Sequence, residues 1–197
     1  SHDINGIPSY TMWWLVGLAD YLRYTGDTGL IWELASEIRA TLEHICRSVG
    51  EDGLWRLAGG WDFVDWSPLP ESERQVFCHL LATQALGLGA GLLDAIGRNG
   101  DLYRRTQARM RDAARRAWWT DPATATFGTT HHVNAMAIRS GILAPDEAVA
   151  LFKRTLAADP PLMMTYWHRY ADLGAAGRVD QVQWGLDYIR RHWGHAL

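Results

Sequence analysis

Two Asp residues three positions apart, each beside a Trp, stand in Gly59-Gly60-Trp61-Asp62-Phe63-Val64-Asp65-Trp66, a stretch closed by Ser67-Pro68-Leu69-Pro70. Gly and Pro at its ends and the absence of a helical apolar period mark an exposed, stiff loop rather than core. The chemistry open to these residue types is sugar recognition. Indole faces stack on the apolar side of a pyranose, while ionised carboxylates accept hydrogen bonds from neighbouring hydroxyls. A second reading stays open, in which the Trps close a small hydrophobic cluster under the loop and the Asps cap turns.

The elements that must position this loop are helical. Trp14, Leu15, Leu18, Ala19 and Leu22 recur at helical spacing over 10–25, ending at Gly26. Asp27 caps a second helix over 28–49, with Ile31, Leu34, Ile38, Leu42 and Ile45 on one face and Glu33, Glu37, Arg39, Glu43 and Arg47 opposite. The 72–96 segment is apolar nearly all round and must be covered on both faces. The 101–118 segment is amphipathic and Arg-rich; with Asp112 among its arginines it reads as a solvated face rather than a phosphate stripe. Shorter helices follow at 132–140, 145–157, 163–173 and 179–192.

Each apolar helix passes to a charged one through a short Gly-containing turn: Gly26-Asp27, Gly97 to Asp101, Gly141 to Asp146, Gly174 to Asp180. The returning links, 50–71, 119–130 and 158–162, are longer and richer in Trp, Pro, Thr and Gly. This alternation predicts an all-α fold, an (α/α) hairpin toroid with about four hairpins in one domain over 1–197. The returning links emerge at one end, so Asp3, Tyr10, Trp61, Asp62, Asp65, Trp66, His131, His132 and Met163 to His168 are expected near one mouth. For His131 and His132, ligand contact competes with an imidazole hydrogen-bonded at a helix start. Tyr166, Trp167 and His168 read as core packing before ligand contact.

Composition narrows the partners. A net charge of −3 with no basic block argues against nucleic acid and anionic membranes. No uninterrupted apolar run of about 18 residues predicts a membrane span. Eleven Trp, many beside Gly, Asp or His, favour a ligand-lining role for some of them. Cys46 and Cys78 fall on apolar helical faces and read as reduced and buried. No CxxC or HExxH occurs, so no motif predicts zinc, and no cofactor is expected.

Ile7-Pro8-Ser9-Tyr10-Thr11-Met12-Trp13-Trp14, then Tyr24-Thr25-Gly26-Asp27, then Trp61 to Trp66, resemble the catalytic domain of bacterial α-L-rhamnosidases, which are six-hairpin (α/α)6 glycosidases. Phe77 to Gly97, His131 to Leu143, and Ala171 to Trp193 resemble successive segments of that family in order. The resemblance implies inverting hydrolysis of terminal α-L-rhamnosyl groups, with an acid and a base roughly 6.5–9.5 Å apart. It also implies that Trp61, Asp62, Asp65 and Trp66 line the sugar subsite, with Tyr10 and His131 or His132 nearby.

In the family, the acid lies in a segment before the first one matched here and the base in a segment after the last. Ser1-His2-Asp3 carries neither an initiator Met nor a signal peptide, and the chain is expected to be an internal fragment, or a shortened relative, inactive by itself. Four hairpins in place of six predict closure into a smaller bundle, or self-association through edges near 10–25 and 163–193. A non-catalytic carbohydrate-binding or helical-hairpin interaction module is the alternative.

Overall fold

Helical periodicity covers most of the sequence, and the backbone follows it. The computed structural model describes residues 6–57, 59–157 and 165–194, without the side chain of Tyr166. The expectations for Asp3, Met163 and the 158–162 link lie outside the described residues. Among those residues there are nine helices and no strand; the small ribbon expected within 50–70 reduces to one antiparallel bridge between Val49 and Trp55. The chain divides into two compact units, one comprising the residues up to Phe63 with Cys78–Arg116, the other Val64–Phe77 with the residues from Ala117 onward.

The first unit opens with α1 (Pro8–Thr25), which carries Pro at its first position, where a missing N–H costs nothing. Gly26, in the left-handed region at φ 69°, closes the helix by donating to Leu22 O. Asp27 Oδ1 then accepts the Gly29 N–H at 2.7 Å, the capping role expected of it. The single helix expected over 28–49 bends at Leu34 into α2 (Gly29–Glu33) and α3 (Ala35–Arg47). Backbone bonds from Leu34 to Leu30 O and from Ile38 to Leu34 O carry the ladder through the bend. Ile38, Leu42 and Ile45 on α3 are buried, each worth roughly 2–3 kcal/mol, while Glu37, Arg39, Glu43 and Arg47 face solvent.

α4 (Glu71–Ala95) runs through both units. Phe77, Leu80, Leu81, Ala82, Ala85 and Leu86 are fully buried, as a helix apolar all round requires. Its length and composition would suffice to cross a membrane, yet 78% of its most apolar stretch is buried in the protein, as in a core helix. His79 sits in the middle of that run. Its Nδ1 accepts the Trp55 N–H at 3.0 Å and its Nε2 donates to Met110 O at 3.1 Å, tying the 48–56 turn to α4 and α5 (Asp101–Trp118). Burial holds the imidazole neutral, its pKa lowered to about 4. On α5, Tyr103, Met110, Ala113 and Ala114 point inward; Arg104, Arg105, Arg109 and Arg116 are exposed, and Arg104 pairs with Asp94 and Asp101. Cys46 and Cys78 form no disulfide, and burial pushes the Cys78 thiol up to about 12.

In the second unit, α6 (His131–Arg139) is buried from His131 to Ile138 and packs on α7 (Pro145–Thr155) and α8 (Tyr166–Arg178); α8 in turn packs on α9 (Val182–Trp193). The turn expected at Gly174 is displaced. α8 continues through Gly174 to Arg178, and the chain reverses at Asp180, whose φ of 57° is left-handed. Gly174 serves close approach instead, because a Cβ there would lie 2.3 Å from Arg139 Nη1 of α6. The 119–130 link is fixed by Trp119, stacked on Phe127 and donating to Glu147 Oε1 at 3.0 Å.

Candidate functional site

The Gly59-Gly60 turn exists because the loop passes against the start of α1. Gly60 has φ 91°, and a Cβ on it would stand 2.3 Å from Gly6 O. The next residue, Trp61, donates its N–H to that same oxygen at 2.5 Å. Ser9 Oγ donates to Phe63 O at 2.7 Å, a second tie between loop and helix. These ties assemble an aromatic group in the first unit: Trp61 lies 4.8 Å from Phe63, and Tyr10 meets Phe63 edge-on at 5.8 Å. Phe63 is buried, whereas Trp61 is 44% and Tyr10 46% exposed. Asp62, beside them in sequence, is partly exposed.

Asp65 and Trp66 belong to the second unit and part company there. Trp66 is 76% exposed, but the Asp65 side chain is only 2% exposed. The solvent-accessible carboxylate expected at Asp65 is therefore turned inward. Its Oδ1 accepts from Trp66 N–H and Thr165 Oγ1, and its Oδ2 from Ser67 Oγ, His132 Nε2 and Thr165 N–H. Burial alone would raise its pKa; hydrogen bonds from His132, Thr165 and Ser67 outweigh that and hold it well below the usual carboxylate range.

The two histidines at the start of α6 also point inward. His132 reaches Asp65 Oδ2 at 3.0 Å and Ser67 Oγ at 3.2 Å. His131 places Nδ1 3.3 Å from Asp172 Oδ2 and Nε2 3.0 Å from Thr155 O, both ends of the ring engaged. Both imidazoles thus make hydrogen bonds within the protein at the start of α6. Trp167, read as core, is instead 50% exposed, while its neighbour His168 is 1% exposed.

Two polar centres escaped the sequence reading, and a third gathers residues expected near one mouth. Asp172, fully buried on α8, accepts from the Tyr188 hydroxyl at 2.6 Å, with Arg169 at 3.4 Å from the same hydroxyl. Glu73, 6% exposed, accepts the N–H and hydroxyl of both Thr129 and Thr130. Burial would raise its pKa, and those four donors bring it below the ordinary value. The third centre joins His168 to Asp65 and His132: ligand-capable atoms of the three lie within 4.8 Å of one another. The three segments were expected near one mouth, and the fold sets how closely these side chains approach.

No family model matches the sequence, and no curated protein matches it. Solved structures do match. The chain superimposes on a GH78 family rhamnosidase of Bacillus sp. GL1 with a TM-score of 0.79 and 20% identity, over 96% of this chain and 22% of that one. A rhamnosidase from Klebsiella oxytoca, with rhamnose bound, matches with a TM-score of 0.79 and 18% identity, over 96% of this chain and 38% of that one. The chain thus spans well under half the length of either protein. At this identity the likeness shows the fold, and that fold is the one expected: all-α, a partial (α/α) hairpin toroid of the kind found in these glycoside hydrolases.

Proposed function

We propose that this chain supplies sugar recognition in a glycoside hydrolase that removes terminal α-L-rhamnosyl groups with inversion. The observation that carries the reading is the half-exposed Trp61, packed on Phe63, which Tyr10 meets edge-on, with Asp62 next in sequence. A half-exposed indole on a rigid support stacks on the apolar face and methyl group of a 6-deoxyhexose, and Asp62 accepts from its hydroxyls. Trp66, in the second unit, is an exposed indole of its own. Asp65, His131 and His132 hydrogen-bond to the protein itself and act as positioning residues. Proton transfer to the leaving oxygen and activation of water fall, by the family resemblance, to carboxylates outside the matched segments.

Calorimetric titration with L-rhamnose and methyl α-L-rhamnoside tests this. Binding that Trp61→Ala or Asp62→Asn abolishes supports the reading; heat signals unchanged in both variants would refute it.

A second reading has one specific observation behind it. Val182, Leu186 and Ile189 form an exposed apolar stripe on α9. A helical-hairpin interaction module would use it for self-association, and light scattering would then show a mass that rises with concentration and falls on Leu186→Lys, with no response to sugar.

A further inference from the structure

His168 presents a physical problem. Its ring is 1% exposed, yet among the described residues neither Nδ1 nor Nε2 has a hydrogen-bond partner, although a neutral imidazole carries one donor and one acceptor. Leaving such groups unsatisfied costs about 1–3 kcal/mol each. The ring packs among Phe77, Trp167 and His132, with the His132 centroid 4.2 Å away. His132 carries a second orphan, its buried Nδ1.

We infer that Asp65, His132 and His168 form a binding site for a divalent transition cation of imidazole preference, with Zn²⁺ as the representative ion. Two imidazoles and a carboxylate are a donor set suited to such ions, and their ligand-capable atoms already lie within 4.8 Å of one another. Ligand atoms on a tetrahedral Zn²⁺ stand roughly 3.3 Å apart, so modest side-chain rotation closes the set. Among the described residues no hydrogen bond to the His168 ring opposes that rotation. Asp65 is oriented by Ser67 and Thr165, the kind of outer support that metal ligands require. The ion would clamp the 64–67 loop to the starts of α6 and α8, all within the second unit, and it does not depend on the sugar reading.

The chain is stripped with EDTA and titrated with ZnCl₂ by calorimetry and thermal melting. The expected result is one equivalent bound, with the melting temperature rising by roughly 5–10 °C once free metal is about 100 times Kd. His168→Phe, which keeps the ring volume, should melt cooperatively without metal and lose both the binding and the shift. Binding that survives in His168→Phe, or no binding by the parent chain, overturns the site. Should that variant fail to fold, an anomalous difference map from a Zn²⁺-soaked crystal of the parent chain decides: a peak between the three side chains supports the site, and peaks only at other histidines contradict it.

Discussion

Thr165 donates its hydroxyl to Asp65 Oδ1 at 2.6 Å and its backbone N–H to Asp65 Oδ2 at 3.1 Å, across 100 residues of sequence. The same hydroxyl accepts the His168 N–H as the N-cap of α8. One side chain therefore starts a helix and anchors the 64–67 loop to it. Thr165→Val removes both roles while keeping the shape. It should cost roughly 2–3 kcal/mol in urea unfolding, whereas Thr165→Ser should cost under about 1 kcal/mol.

Glu73 holds the link before α6 through four hydrogen bonds to Thr129 and Thr130. Glu73→Ala should destabilise by about 3 kcal/mol, with Glu73→Gln intermediate, since the amide keeps one acceptor oxygen. The depressed pKa fixes the sign of the pH effect: the contribution of Glu73 is present above about 4.5 and is lost as pH falls through the lower, folded-state value. The difference in urea midpoint between parent and Glu73→Gln, present at neutral pH, should therefore shrink as pH falls below about 4.5.

His79 gives a second, separate window. The unfolded imidazole titrates near 6.5 and the folded one near 4, so between those values the unfolded chain binds more protons and stability rises with pH. The contribution is full above pH 6.5 and declines by about 3 kcal/mol in total as pH falls to 4, at about 1.4 kcal/mol per pH unit. His79→Gln should flatten the dependence of the urea midpoint between pH 4 and 6.5. A parent chain with no slope across that window would remove the neutral, buried His79 from the account.

The hairpin order was legible because apolar spacing and left-handed glycines are local signals: Gly26, Gly97 and Gly141 all take positive φ at the expected turns. Gly174 misled for the same reason. A glycine in a helix interior looks like a stop until its neighbour is known, and that neighbour, Arg139, lies 35 residues upstream. The exposed Trp61 and Trp66 could be read from the Gly- and Pro-bounded loop. The inward turn of Asp65 could not, because it is set by His132 and Thr165, which are remote in sequence. His79 was hidden in a run whose apolar neighbours dominate its pattern, and Glu73 among the charged residues that open α4.

The central claim is that the Trp61 face receives a rhamnosyl group, and saturation-transfer difference NMR with methyl α-L-rhamnoside tests it most directly. The strongest transfer should fall on the C6 methyl and one face of the ring, disappear in Trp61→Ala, and be weak for methyl α-L-mannoside, which has a hydroxymethyl in place of the methyl. Equal transfer to both sugars, or a signal unchanged in Trp61→Ala, would contradict the account.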